Sequence, residues 1–318
     1  MRLKVYFIIG IISLFSQVIL GQQLPLYQFY RDHAGLINPA GVSSNFLAYN
    51  MNISGSLTAR NQWLKLPESP RTQILSLEYI DDDQFNFSSG LHLVNDQVGA
   101  IGQTGIYGNI AYRIPIQNDH ILAGGISLGG IQYRLNLGEL LSGSDNTNII
   151  STANLNPQQF YYDVGLGLMF CTDPTDDERI FYIGASIPQM FSLNKAFKTP
   201  SNTYEVIKEP HYYTNVGYYH FFNKKDFNFI EFNLLGRYLP DSPIGIDANI
   251  RYQFNKALWL GLGSGTSKSI KFEAGTMIET TSGNILRLSL GYNQFVSKLN
   301  SYFGQTFDIG ISYAFYQN

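Results

Sequence analysis

Only one cysteine, Cys171, occurs in the chain, so no internal disulfide can form, and five scattered histidines supply no zinc-ligand pattern. Charge is scarce as well: Asp, Glu, Lys and Arg make up 14% of the 318 residues, against roughly 25% in ordinary globular proteins. The 21 basic and 24 acidic residues nearly cancel at −3, which leaves no long-range field to attract a polyanion and argues against nucleic-acid binding. Aromatic residues, at 14%, are too abundant for a disordered chain or a coiled coil. Past the N-terminus, Gly, Asn, Ser or a charge interrupts every apolar run within a few residues, so membrane-spanning helices are excluded. Stability has to come from packing and hydrogen bonds. The length suits one large all-β domain or two ordinary ones.

Residues 1–21 begin with Arg2 and Lys4, run apolar from Val5 to Leu14 and end near Gly21, before Gln22 and Gln23. A charged head, an apolar middle and a small residue at the cut are the layout of a secretory signal peptide. The apolar run is shorter than the roughly 20 residues of a spanning helix. No cysteine follows the cut to carry a lipid. A mature chain that starts near Gln22 and works outside the cytoplasm is expected.

From about residue 45 onward the pattern alternates with period two, in segments of roughly ten residues rich in Tyr, Phe, Ile and Leu. Over 244–254, Ile244, Ile246, Ala248, Ile250, Tyr252 and Phe254 share one face, while Gly245, Asp247, Asn249, Arg251 and Gln253 share the other. The same division recurs over 162–170, 270–279 and 307–315. Fourteen strands are predicted, at 46–60, 71–80, 85–95, 102–115, 119–135, 159–171, 179–188, 211–222, 227–239, 244–254, 257–265, 269–279, 284–295 and 304–316. An even number of such segments fits an all-β, transmembrane antiparallel β-barrel.

A soluble sandwich also alternates, and two features separate the readings. The polar face carries small residues and opposite charges (Asp247 with Arg251, Lys271 with Glu273, Glu231 with Arg237), as a polar lumen would, and the apolar face ends in Tyr and Phe, as an interfacial girdle would. Links after even-numbered strands are mostly tight, at 81–84, 117–119, 223–226 and 280–283, whereas several odd-numbered links are long, at 61–70, 136–158 and 189–210. Short periplasmic turns and longer extracellular loops put both termini in the periplasm of a gram-negative cell. Residues 22–45 are expected to form a periplasmic or lumen-filling segment, with the barrel over 46–318.

Sites of chemistry are sparse. The stretch 261–269 has a phosphate-loop flavour, but no Gly directly precedes Lys268 and no helix follows. The acidic runs 81–83 and 173–178 lack calcium-loop spacing and suit solvated turns. There is no HExxH pair and no nucleophile elbow, so neither a catalytic residue, a metal nor a cofactor is expected. Gly124, Gly125, Gly129 and Gly130 suit bends in a barrel wall or room for inward side chains.

The first hundred mature residues carry more specific strings: Tyr27-Gln28-Phe29-Tyr30, Leu36-Ile37-Asn38-Pro39-Ala40-Gly41, Arg60-Asn61-Gln62-Trp63, Pro70-Arg71-Thr72-Gln73-Ile74-Leu75-Ser76, Asn95-Asp96-Gln97-Val98-Gly99 and Ala111-Tyr112-Arg113-Ile114-Pro115. In order and spacing they resemble the PorP/SprF family of type IX secretion outer-membrane proteins, from about Gln23 to the C-terminus. The resemblance implies a non-enzymatic barrel, without cofactor, that helps export large surface adhesins used in gliding motility or holds them at the surface. It implies as partners the C-terminal region of such an adhesin, other type IX secretion components and outer-membrane lipid. The candidate partner-binding residues it supplies are Asn38, Pro39, Ala40, Gly41, Arg60, Gln62, Trp63, Pro70, Thr72, Gln73, Asn95, Asp96, Gly99, Tyr112 and Arg113. Trp63 reads equally as an interfacial anchor. The sequence departs from the family where 146–158 replaces an aspartate-rich segment. A porin or small-solute transporter is the alternative that a polar lumen suggests, and an outer-membrane hydrolase a third.

Overall fold

The computed structural model describes residues 28–81, 86–116, 120–135, 158–174, 178–198, 203–240, 242–296 and 299–317. The signal-peptide stretch 1–21, Tyr27, the turn 117–119 and nearly all of the link 136–158 lie outside the described residues.

Sixteen strands follow in order: β1 (Ile53–Asn61), β2 (Arg71–Ile80), β3 (Phe87–Val98), β4 (Ile101–Ile116), β5 (His120–Leu135), β6 (Gln158–Thr172), β7 (Arg179–Ile187), β8 (Leu193–Lys198), β9 (Thr203–Lys208), β10 (Tyr212–Asn223), β11 (Asn228–Tyr238), β12 (Gly245–Phe254), β13 (Leu258–Gly265), β14 (Ser269–Glu279), β15 (Ile285–Phe295) and β16 (Thr306–Phe315). All but β8 and β9 form one closed antiparallel barrel of fourteen strands, in which β7 pairs with β10 and β1 with β16. Closure is continuous from Ile53 opposite Phe315 to Asn61 opposite Phe307. Just past the last rung, Asn52 Nδ2 donates to the Gln317 carbonyl at 2.8 Å and the Gln317 amide returns a bond to Asn52 Oδ1 at 2.9 Å. No sheet edge is left along that seam, as hydrocarbon requires of a spanning sheet.

The predicted strands match the observed ones to within a few residues, with two differences. The first strand begins at Ile53 rather than residue 46, because Ser44–Leu47 is a helical turn buried inside the barrel. Phe46, Leu47, Ala48 and Tyr49 are all buried there. Four consecutive buried residues have no exposed alternate face and cannot belong to a half-exposed strand. The link 189–210, read as a loop, carries the β8–β9 hairpin.

Burial is inverted relative to a soluble protein. On β12, Ile246 and Ile250 are exposed while Asp247, Asn249 and Arg251 are buried, and on β15 Leu290 is 62% exposed while Arg287 is 1% exposed. Apolar side chains therefore point out to lipid and polar ones into the lumen. Tyr79, Tyr112, Phe222 and Phe254 ring the wall at the end with the short turns, and Phe160, Tyr162, Tyr212 and Tyr238 ring it at the other. Aromatic girdles of this kind sit at the two membrane interfaces. The two ends are called the turn end and the loop end below.

Substituting Leu290→Arg on the lipid face should cost about 2–4 kcal/mol. Reversible urea unfolding in phosphocholine vesicles measures this, and a loss below about 0.5 kcal/mol would place the residue away from hydrocarbon.

Candidate functional site: a plugged lumen with an open mouth

The segment 28–50 runs inside the barrel as a 3-10 turn at Tyr30–His33 and two short helical turns at Ala34–Ile37 and Ser44–Leu47. Nearly every residue of it is buried. Its fit differs from one end of the lumen to the other.

At the turn end the contact is apolar. Val42, Phe46, Leu47 and Tyr49 pack against Ile80, Met169, Cys171, Tyr219, Phe221 and Phe229 of the wall. At mid-depth the contact is ionic. Arg31 reaches both Glu231, at 3.7 Å, and Glu273, and Arg251 holds Glu231 at 2.8 Å. Asp32 pairs with Arg287 at 3.0 Å and accepts from Ser44 Oγ at 2.5 Å. Burial, the largest single influence, would raise the Asp32 carboxyl, but the Arg287 and Arg251 guanidiniums and the Ser44 hydroxyl together outweigh it and hold the group at about 2. Rings add to the cations: Arg287 lies 4.9 Å from the Tyr49 ring centre, and Arg251 lies 5.4 Å from that of Trp259.

The opposite charges that share a strand are not one another's partners. Arg251 pairs with Glu231 rather than Asp247, Glu273 with Arg31 rather than Lys271, and Arg237 with Asp247 rather than Glu231. Positions two apart on a strand are separated by roughly 7 Å and positions four apart by roughly 13 Å, so cross-strand and plug partners win.

The Asn38-Pro39-Ala40-Gly41 string forms the tightest joint between plug and wall. Asn38 Oδ1 accepts from the Ala40 amide at 3.0 Å and its Nδ2 donates to the Leu168 carbonyl at 3.0 Å, while the Asn38 carbonyl accepts from the Gly41 amide at 2.7 Å. The turn lies directly on wall glycines. A Cβ on Gly125 would stand 2.4 Å from the Pro39 carbonyl carbon, and one on Gly167 would stand 2.0 Å from Asn38 Oδ1. Gly125 is thus room for the plug, and Gly129 is room for the Tyr107 ring.

A hydrogen-bond relay crosses from the plug into four strands. The Pro39 carbonyl can only accept, so Asn109 Nδ2 donates to it at 3.2 Å and presents Oδ1 to His92. His92 Nε2–H donates to that oxygen at 2.8 Å, which leaves its Nδ1 to accept from Ser76 Oγ–H at 2.7 Å. Ser76 Oγ accepts from His33 Nδ1–H at 2.7 Å, and His33 Nε2 accepts from Thr58 Oγ1–H at 2.8 Å. With this assignment every link has one donor and one acceptor and both imidazoles are neutral; a proton on His33 Nε2 would turn the Thr58 bond round. Burial pushes His33 down to about 3, in the same sense.

Above the plug, at the loop end, a cavity of ≈ 140 Å³ remains. Leu36 and Ile37 of the plug form its floor with Val94, Ile131 and Leu235 of the wall. Arg60, Arg237, Lys271 and Asp247 stand around it, with Gln62 and Trp63. Asp247 accepts from Arg237 at 2.6 Å and from Lys271 at 2.5 Å, and Arg60 Nη1 holds both oxygens of Asp308 at 3.0 Å.

The motif residues do not converge on one point. Asn38 to Gly41 seat the plug, whereas Arg60, Gln62 and Trp63 edge the cavity, where the Trp63 ring packs 5.1 Å from that of Phe303. Pro70 is buried, and its carbonyl accepts from the Gln62 amide at 2.8 Å. Thr72 donates to Asp96 inside the wall at 2.5 Å, while Gln73 and Asn95 meet on its outer face. Gly99 makes the β3–β4 turn at φ 55°, Tyr112 faces outward, and Arg113 is buried beside Ser88 at 2.9 Å. A G-x-S-x-G spacing does occur at Gly125-Ile126-Ser127-Leu128-Gly129, but it lies in the middle of β5 and makes no strand-to-helix elbow. Arg31, Asp32 and His33, which hold the plug, carry no motif or periodicity that marks them in the sequence.

The profile described as "Type IX secretion system membrane protein PorP/SprF" matches residues 19–313. The chain belongs to the PorP/SprF family. It is an outer-membrane β-barrel of type IX secretion, and other components of that machinery are its partners. No curated protein matches the sequence. Among solved structures, the barrel is similar to the CymD monoaromatic hydrocarbon channel, at 10% identity and TM-score 0.51 over 92% of this chain and all of that one. It is similar to the Pseudomonas putida toluene transporter TodX, at 10% identity and TM-score 0.50 over 93% of this chain and 99% of that one. A Pseudomonas aeruginosa FadL homologue gives 10% identity and TM-score 0.50 over 93% and 100%. At such identity the likeness concerns the fold alone.

Two predictions concern the plug of this PorP/SprF barrel. Gly125→Val should push Asn38-Pro39 off the wall at a cost of about 1–3 kcal/mol, making 28–50 sensitive to protease while strand content by circular dichroism stays unchanged. Since His33 sits below its ordinary 6.5, its contribution to docking is complete above that pH and is lost as pH falls from 6.5 towards about 3. Asp32, at about 2, stays ionised across most of that window. Compared with His33→Gln, the parent plug should therefore lose additional protease resistance as pH falls from about 6.5 to about 4.5, and equal pH profiles for the two would remove His33 from the docking.

Proposed function

We propose that this PorP/SprF barrel is a non-catalytic receptor of the gliding and secretion machinery, which supports export or surface anchoring of one large secreted adhesin. In this reading the turn end and both chain termini face the periplasm, after removal of residues 1–21 as a signal peptide. The loop end faces outward and meets the C-terminal region of the adhesin through the links 136–158 and 189–210. Family membership makes secretion the setting. The observation that carries the receptor role is the occupied lumen, since a barrel filled by its own segment 28–50 and held by buried ion pairs is built to bind rather than to conduct. The link 189–210 supports the same role, because its β8–β9 hairpin is folded structure at the loop end. Asn38 to Gly41 act by seating the plug, and Arg60, Gln62 and Trp63 by shaping the mouth.

The alternative is a porin or small-solute transporter, towards which the fold shared with hydrocarbon channels points. Two measurements separate the readings. Deleting the gene should remove one or a few large proteins from the cell surface, as read by surface proteolysis and mass spectrometry, and unchanged display defeats the receptor role. In planar bilayers the full chain should show no steady ion conductance, whereas a variant lacking 28–50 should conduct. Steady conductance by the full chain would favour the transporter.

A further inference from the structure

We propose that the cavity at the loop end is a binding site for a monocarboxylate whose apolar group is about the size of a benzene ring. Two observations meet there, and neither depends on the adhesin reading.

The first is size and lining. A dry cavity of about 150 Å³ lined by Leu, Ile and Phe admits benzene, and the ≈ 140 Å³ above Leu36, Ile37, Val94, Ile131 and Leu235 is of that capacity. It takes one ring or one branched aliphatic group. The chain of a membrane lipid is too large for it.

The second is charge. Of the ionisable groups around the cavity, Arg60, Arg237 and Lys271 are cations and Asp247 is the anion. Arg60 is matched by Asp308, so Arg237 and Lys271 share the single carboxylate of Asp247. Among the lining groups and their ion-pair partners one positive charge is left over, on side chains that are themselves largely buried. A buried surplus ion is costly, and an incoming carboxylate relieves it. A carboxylate neutralises the excess charge and accepts from the Lys271 ammonium or the Arg237 guanidinium at the mouth. Apolar floor and cationic rim together select an anionic amphipath over a neutral hydrocarbon or a hydrophilic anion.

Two sources offer this chemistry: a free small organic acid, and the C-terminal residue of a polypeptide that ends in an apolar side chain. Isothermal titration of the purified full chain in detergent at neutral pH distinguishes them. The probes are 3-phenylpropionate, a tripeptide Gly-Gly-Phe with a free carboxylate, the same tripeptide amidated, and 3-phenylpropanol. At least one carboxylate should bind, with its amide or alcohol counterpart at least tenfold weaker. Binding of the tripeptide alone identifies a polypeptide terminus, binding of phenylpropionate alone a free acid, and binding of both a site that reads only ring and carboxylate. Lys271→Met removes the surplus charge and leaves the Arg237–Asp247 pair in place, so it should weaken the carboxylate at least tenfold. Leu36→Trp fills the floor from a partly exposed plug residue and should abolish binding. Both variants should keep the far-ultraviolet spectrum and thermal transition of the parent. No carboxylate binding at millimolar concentration, equal binding of the neutral counterparts, or full affinity in Lys271→Met overturns the proposal. Surface display of the adhesin in cells carrying Lys271→Met reports on the receptor role separately.

Discussion

A peptide group facing hydrocarbon has no water to bond, and the seam between β1 and β16 is where this chain meets that demand. Once the ring is closed, each strand has one face against lipid and one against an enclosed interior. The apolar residues of β12 and β15 go outward because lipid tolerates them, and Asp247, Arg251 and Arg287 go inward because lipid does not. Closure therefore dictates composition on both sides of the wall. It also creates a second problem, since charges turned inward lose part of their hydration.

The plug answers that second problem. Asp32 completes Arg287, and Arg31 joins Glu231 and Glu273, so the inward charges at mid-depth are met by residues supplied from 28–50 as well as by each other. Near the turn end, where the wall contributes Met169, Phe221 and Phe229 instead of ions, the plug contributes Phe46 and Leu47. The same segment thus changes character along its path to match the wall it touches. Its attachment is noncovalent apart from the short run into β1, so its docking responds to protonation of His33 and to the space left at Gly125 without any change in the ring itself. The matching stops at the mouth. There an apolar floor at Leu36 and Ile37 meets Arg237 and Lys271, which share the one carboxylate of Asp247.

Much of the barrel was legible in the sequence because period-two alternation is a local property. Ser269–Glu279 matches its predicted limits, and the tight links expected at 223–226 and 280–283 are observed as turns. The failures share one cause. Residues 46–49 were read as the start of the first alternating strand, yet Phe46 to Tyr49 are all buried, in a cluster with wall residues as distant in sequence as Phe229 and Ile285. Asp247 and Arg251 were likewise noted as opposite charges of one strand, whereas Asp247 bonds Arg237 across one strand pair and Lys271 two strands away. Distance along the chain says little about distance around a cylinder.

By itself the sequence determined the fold class, the number of wall strands, the two-faced wall and, through the strings from Asn38 to Arg113, membership of a type IX secretion family. Those properties are written in residues that lie next to or two apart from one another, and the pleat reads them directly. Only the tertiary structure decided that 28–50 fills the lumen, that Asn38-Pro39 rests on Gly125 and Gly167, and that Arg60, Arg237 and Lys271 surround one cavity with a single shared carboxylate between the last two. Each of these depends on which strands the closed ring brings face to face across its interior, and that is set by register and closure rather than by any local pattern.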